Sequence, residues 1–301
     1  LSLTLAGSLG VLLVAAGKAA LKGRLSPGWS CRLWSLPLTL FLIPFALPVG
    51  KAISSPQSSL NAPAPPEAVL PAAQGIPGAA TLPAGETWAQ ALPVLAWAWL
   101  LGALFLGAVR IVDHRALWNS LARCSCPPSP DGRAAKVFER LTREMGIPAG
   151  RLELLLCPGV ESPLLIGLIH PRVILPREDF PERQLTMMLR HELNHYKGQD
   201  LWRKALALGT ACLHWFNPLA WYLVKDLDRC CELWCDQRTT REMTTGEKKQ
   251  YGRMLLDFAQ GIGKSAPAGV VTLAMNKEEL KRRLTLLKSS RKTTPLDRAV
   301  S

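Results

Sequence analysis

Arg190-His191-Glu192-Leu193-Asn194-His195-Tyr196 sets two histidines four residues apart. The stretch around it reads as a helix from about Pro181 to Lys197: proline suits a first helical turn, and Leu185, Met188 and Leu189 recur at helical spacing. On such a helix both imidazoles stack on one face, within reach of a single Zn²⁺. A catalytic zinc takes three protein ligands and keeps one position open for water, and a carboxylate beside the first histidine is placed to take that water's proton. Glu192 sits there. The motif by itself also arises by chance on amphipathic helices, so its meaning depends on the rest of the chain.

A second helical run supplies carboxylates: Arg229-Cys230-Cys231-Glu232-Leu233-Trp234-Cys235-Asp236. Asp228, Glu232 and Asp236 fall at i, i+4 and i+8, so each can approach the metal from one face, although acids at this spacing also make an ordinary solvated face. Glu232 is the expected third ligand, because Asp236 lies one turn further on and is free to accept the outer N–H of a ligand histidine.

The 301 residues are 48% hydrophobic, and the apolar residues come in blocks that point to membrane spans. Leu1 to Gly17 is uncharged, extendable to Ala20 by snorkelling of Lys18, and no basic residues precede it as they do in a signal peptide. A second block runs from Leu33 to Gly50 with Pro37, Pro44 and Pro48, and a third from Trp88 to Val109 with Arg110 and Arg115 just beyond. Residues 1–50 are thus expected to hold two transmembrane helices, 51–87 a Pro/Ala-rich linker outside the membrane, and 88–111 the third span. The loop between the first two blocks carries Lys18, Lys22, Arg24 and Arg32 without an acid, which places it in the cytoplasm, the N-terminus outside, and everything after Arg110 inside. The net charge of +13 then reflects this bias and attraction to anionic lipid, and no aromatic–basic motif supports nucleic-acid binding. The eight cysteines lack a zinc-finger arrangement, lie mostly on the side assigned to the reducing cytosol, and read as free thiols, with Cys235 a packed residue beside Asp236.

Residues 112–262 form the expected enzyme domain. Asp131 is expected to cap a helix with Ala134, Val137, Phe138, Leu141 and Met145 on one face, stopped at Gly146 and Pro148. Three short strands follow, Leu152–Cys157, Pro163–Ile169 and Arg172–Leu175. An edge strand beside a metal helix can hold an extended peptide, which makes Leu164, Leu165, Ile166, Gly167 and Leu168 candidate substrate contacts; an ordinary core strand fits the same residues. The apolar stretch 201–224 cannot be one straight span, since that would put Glu232 about 30 Å from the two histidines, across the membrane. It is expected to be a hairpin broken near Asn217-Pro218, or a helix packed in or against the membrane-facing side of the domain. Residues 263–301 are a basic tail, with Leu280, Leu284 and Leu287 opposite Lys281, Arg282, Arg283 and Lys288, expected on the inner leaflet or before a further span.

The chain resembles the bacterial BlaR/MecR regulatory metallopeptidases, membrane proteins known for β-lactam signalling and related to the HtpX gluzincins. The resemblance is carried by Ser162-Pro163, Gly167, Pro171, Ile174-Leu175-Pro176, Leu189 to His195, Asp200-Leu201, His214-Trp215-Phe216-Asn217-Pro218-Leu219-Ala220-Trp221 and Glu232-Leu233-Trp234-Cys235-Asp236. It implies an α+β membrane protein with a cytosolic zincin-like domain, His191, His195 and Glu232 as zinc ligands, Glu192 as base, and Asp236 supporting a ligand. It also implies a zinc endopeptidase in the bacterial plasma membrane acting on a protein substrate such as a transcriptional repressor. Trp234 departs from the small residue common in that family's motif, and the residues to Ser301 do not include a penicillin-binding sensor, so these residues give a β-lactam input no support. Homo-oligomerisation is compatible with this reading, as are two other functions: a non-catalytic signalling scaffold on the same fold, and a membrane quality-control protease.

Overall fold

The computed structural model describes residues 2–21, 25–43, 86–261 and 277–288. They divide into two compact units, one of residues 1–44 and 102–301 and one of residues 45–101. The described part of the latter is the beginning of a long helix, α4 (Glu86–Cys124), on which Leu92, Val94, Leu95 and Trp97 are 61–67% exposed. Apolar side chains turned outward at that density suit lipid better than water. The expected linker lies almost entirely outside the described residues.

In the larger unit α1 (Ser2–Ala20) also turns leucines outward, and α1 and residues 91–124 are the described helices long and apolar enough to cross a membrane. The second expected span differs. Its helix starts at Pro27, capped by Ser26, and divides into α2 (Pro27–Leu33) and α3 (Ser35–Leu42) at Trp34. Pro37 has no N–H to offer Leu33, which interrupts the helical ladder there. Trp34 fills the break, 1% exposed, with its indole N–H donating to Asp226 at 3.0 Å. Residues 44–50 of that block are not among those described.

The helix α5 (Arg133–Glu144) is preceded by Gly132 at the cap position, where Asp131 was expected, and no side chain caps it. A three-stranded sheet follows, β1 (Glu153–Leu156), β2 (Leu164–Ile166) and β3 (Arg172–Leu175), in the order β1-β3-β2. β1 runs parallel to β3 and β2 antiparallel to it, so β2 is an edge. β2 stops at Ile166, short of the expected Ile169, because Gly167 takes a φ of +97° and turns the chain against the His170 carbonyl, a place closed to a side chain.

The metal helix α6 (Glu182–Lys197) is anchored on this sheet and on α5. Leu185, Leu189 and Leu193 are each 0% exposed, in one cluster with Val137, Leu141, Val173 and Leu175. Burial of each such leucine is worth about 1.5–3 kcal/mol, so the helix face carrying the histidines is held rigidly. Then come α7 (Asp200–Leu213), α8 (Pro218–Thr239), α9 (Thr245–Gly261) and α10 (Lys277–Lys288).

The apolar stretch 201–224 is thus two helices. Asn217 accepts the Leu219 N–H at 2.9 Å and Pro218 opens α8. The turn between them is tied to α1: His214 Nδ1 lies 3.0 Å from Thr4 Oγ1, and Asn217 Nδ2 donates to Ser8 Oγ at 2.8 Å. Further along, Lys18 pairs with Asp226 and donates to Cys230 Sγ. From Thr4 to Lys18, fourteen residue steps or about 21 Å at helical rise, α1 thus runs from the α7–α8 turn to the middle of α8. The free-thiol expectation fails at one pair, since Cys124 at the end of α4 is disulfide-bonded to Cys157 after β1, with Cα atoms 5.2 Å apart. The two residues are far apart in sequence and only the sheet brings them together. The other six cysteines are free.

Candidate metal centre

His191 and His195 lie one turn apart on α6 with their Nε2 atoms 3.1 Å from each other. Glu232 reaches in from α8, Oε2 to His191 Nε2 at 3.6 Å and Oε1 to His195 Nε2 at 3.5 Å. One donor atom from each of the three residues falls within 4.8 Å of the others. Two ring nitrogens meeting at a carboxylate make sense when both carry lone pairs toward one cation, which requires each ring to hold its proton on Nδ1.

The surroundings supply that. His195 Nδ1 faces Asp200 Oδ2 at 2.9 Å, and His191 Nδ1 faces the Tyr251 hydroxyl at 2.9 Å and Asp236 Oδ1 at 3.3 Å. Tyr251 in turn donates to Asp236 at 2.7 Å. With Nδ1–H donating outward on both rings, the donor set of two imidazole nitrogens and a carboxylate suits zinc and leaves a position for water. Asp236 thus reaches His191 both directly and through the Tyr251 hydroxyl. Burial works against charge on Glu232, yet His195, Lys204 and His191 hold its carboxyl well below the usual carboxylate range. Burial likewise opposes charge on His195, but Cys235, Glu232 and Asp200 raise it well above the ordinary histidine value.

His191, His195, Asp200, Glu232 and Tyr251 line a cleft of about 280 Å³, together with Glu192 and with Leu164 and Leu165 of the edge strand. Met188, Met254, Leu255 and Phe258 give it an apolar side; Lys204, Glu279 and Arg283 give it a polar one. Of the expected substrate contacts, Ile166 is buried beneath the sheet with Ile174, and Gly167 and Leu168 border a different hollow beside Tyr196 and Trp202. Asp228, the rival ligand, is outside the convergence, paired with Lys204 at 2.5 Å and 45% exposed.

Five contributors escaped the sequence reading. Asp200 is brought under His195 by Gln199, whose φ of +55° folds the chain back after α6; an acid five residues past the second histidine was the available signal. Lys204, Cys235 and Tyr251 belong to helix faces whose inward direction only the fold defines. Arg283 and the leucines depart from the expectation of a tail helix on the inner leaflet: the Arg283 guanidinium donates to Asp236 at 2.6 and 2.7 Å and lies 3.4 Å from Glu232, while Leu280 and Leu287 pack on the protein core. Trp234, the departure in the motif, fits because Gly28 of α2 leaves the space; a Cβ there would stand 3.1 Å from the indole nitrogen. Arg203 and Arg238 stack over the same ring.

Comparison with known proteins follows the same lines. A family model described as BlaR1 peptidase M56 matches residues 1–287. The regulatory protein BlaR1 of Bacillus licheniformis is 28% identical over 147 residues, 48% of this chain and 24% of that protein. The methicillin resistance mecR1 proteins of Staphylococcus aureus and Staphylococcus epidermidis are 27% identical over 100 residues, 32% of this chain and 17% of theirs. The matched part thus spans a quarter or less of these relatives' own length.

Proposed function

The chain belongs to the BlaR1 peptidase M56 family, and from that premise we propose that it is an integral-membrane zinc endopeptidase of gluzincin type acting in regulatory signalling. The observation that carries this reading is the meeting of His191, His195 and Glu232 in a cleft that also holds Glu192 and an edge strand. The three would hold Zn²⁺, which when bound polarises a scissile carbonyl and acidifies its water. Glu192 takes the proton from the attacking water at its carboxylate and passes it to the leaving amine. Asp200 and Tyr251 keep the two imidazoles in the Nδ1–H form, so both Nε2 lone pairs face the metal position. Leu164 and Leu165 pair with the backbone of an extended peptide, whose apolar side chain enters between Met188, Leu255 and Phe258.

The contacts of α1 support a site at the cytoplasmic face of the bilayer. Its Thr4 end is beside the α7–α8 turn and its Lys18 end beside Asp226, six residues before Glu232. If α1 spans, the α7–α8 hairpin enters the membrane with it, and the metal site sits at the Lys18 side, about 9 Å beyond Asp226 along α8. The basic loop supports a cytoplasmic assignment of that side. The substrate is accordingly a cytoplasmic or membrane-proximal protein, a transcriptional repressor being the kind that fits regulatory relatives. Comparative proteomics of cells carrying wild type or Glu192→Ala tests this: a fragment pair, one from a repressor, is expected with wild type alone. Purified Glu192→Gln should keep stoichiometric zinc and lose proteolysis; retained cleavage, or lost zinc, sinks the assignment of Glu192.

A further inference from the structure

A second cluster of metal-binding side chains lies behind the first. Cys31 of α2 and Cys231 of α8 bring their sulfurs to 3.5 Å, and Asp200 stands with them, one donor atom from each residue within 4.8 Å of the others. All three are at most 2% exposed. Asp200 divides its carboxylate: Oδ2 serves His195 and the Cys235 thiol, whereas Oδ1 is buried and has no hydrogen-bond partner. That oxygen stands 3.7 Å from an Arg203 nitrogen, and one oxygen of the same carboxylate lies within 4.8 Å of both sulfurs.

We propose that Cys31, Cys231 and Asp200 form a second metal site, for a divalent thiophilic cation of the zinc type. Two thiolates on a tetrahedral centre at about 2.3 Å stand about 3.8 Å apart, while a disulfide requires about 2.05 Å, so the 3.5 Å spacing lies near co-ligation. Charge selects the ion. Two thiolates and a carboxylate carry three negative charges, and Arg203, 3.8 Å from Cys31 Sγ and 3.7 Å from Asp200 Oδ1, supplies one positive. A dication makes the buried cluster neutral; a monovalent one leaves it charged in a low-dielectric interior. The soft sulfurs favour zinc or cadmium over magnesium or calcium. Such an ion ties α2, α7 and α8 together and holds the far side of the carboxylate that orients His195.

Cadmium alone is the probe, added to the full chain in detergent under reducing conditions. Bound cadmium is counted, and the ultraviolet thiolate-to-cadmium charge-transfer band is recorded. The ligand atoms of His191, His195 and Glu232 are nitrogen and oxygen and add none of that band, and any band from Cys235 beside His195 is removed in the histidine variant. Wild type is expected to take up two equivalents, one of them with the band. Cys31→Ser/Cys231→Ser should lose the band and one equivalent, and His191→Ala/His195→Ala should keep the band and lose the other equivalent. Absence of the band in wild type and in the histidine variant overturns the proposal, as does its persistence in the cysteine variant. A histidine variant that still binds two equivalents counts against the first site and leaves this one standing.

Discussion

Arg283→Ala probes whether the tail helix is part of the catalytic unit. In the folded protein Asp236 is 0% exposed and receives two guanidinium N–H groups, and Arg283 itself is 6% exposed. Removing one partner of such a pair costs about 3–5 kcal/mol, because the remaining charge is buried without compensation. The rest of α10 binds through Leu280, Leu284 and Leu287, all partly exposed, so each gives less than the roughly 1.5–3 kcal/mol of full burial. The loss is therefore comparable to the whole docking energy of the helix. We expect α10 to detach and water to reach Asp236, with the global fold retained by the α5–α6–sheet core. Hydrogen exchange of the α10 amides measures this directly, and protection should fall roughly a hundredfold or more. Asp236→Asn/Arg283→Met should recover much of it, since replacing both charges by neutral groups of similar size is often near neutral. Protection within tenfold of wild type in the single variant, or a double variant no better than the single, refutes the reasoning.

Ranking metal affinity with a competing chelator tests the ligand set. Glu232→Ala should lose zinc as completely as His191→Ala, Asp236→Asn should weaken it about 10–100-fold, and Asp228→Ala should be near neutral. A fall of Asp228→Ala alongside the histidine variants, with Glu232→Ala still metallated, removes the assignment of the third ligand. Away from the site, Thr244 and Glu247 cap α9 reciprocally, and the Thr244 N–H and hydroxyl, with Arg183, hold the Glu247 carboxyl below its usual value. Its contribution is complete above about pH 4.3, the unfolded value, and is lost as pH falls through the depressed one. Thermal melts of Glu247→Gln should then sit below wild type near neutrality and converge with it in acid; parallel curves at all pH values contradict this. Reporter fusions within residues 54–85 should read as external and fusions near Asp131 as cytoplasmic, with Cys124 and Cys157 both alkylated in intact cells, since the cytosol reduces such bonds. The reverse pattern puts the cleft outside the cell.

The helix with the two histidines, the downstream acidic helix and the three strands were legible because each rests on local periodicity. So was the break at Asn217-Pro218, for a different reason: one cation cannot be shared across a bilayer, so the positions of His191 and Glu232 constrain the segment between them whatever its hydropathy. What escaped were side chains whose direction depends on a distant packing partner. Arg283 reads as one of three successive basic residues on an amphipathic helix, and nothing local distinguishes it from Arg282. Only the apposition of α10 on α8 gives it a buried carboxylate. Asp200 is the intermediate case, near enough in sequence to His195 to be suspected, yet dependent on a left-handed residue that few side chains adopt. The same asymmetry holds for Cys31 and Cys231. Two hundred residues separate them, so no spacing rule pairs them, while α2 and α8 pack because Trp234 enters the space left by Gly28. The tryptophan that departs from the family motif is thus part of the contact that brings both cysteines to Asp200, and a small residue at 234 should loosen the thiol cluster before it disturbs the histidines.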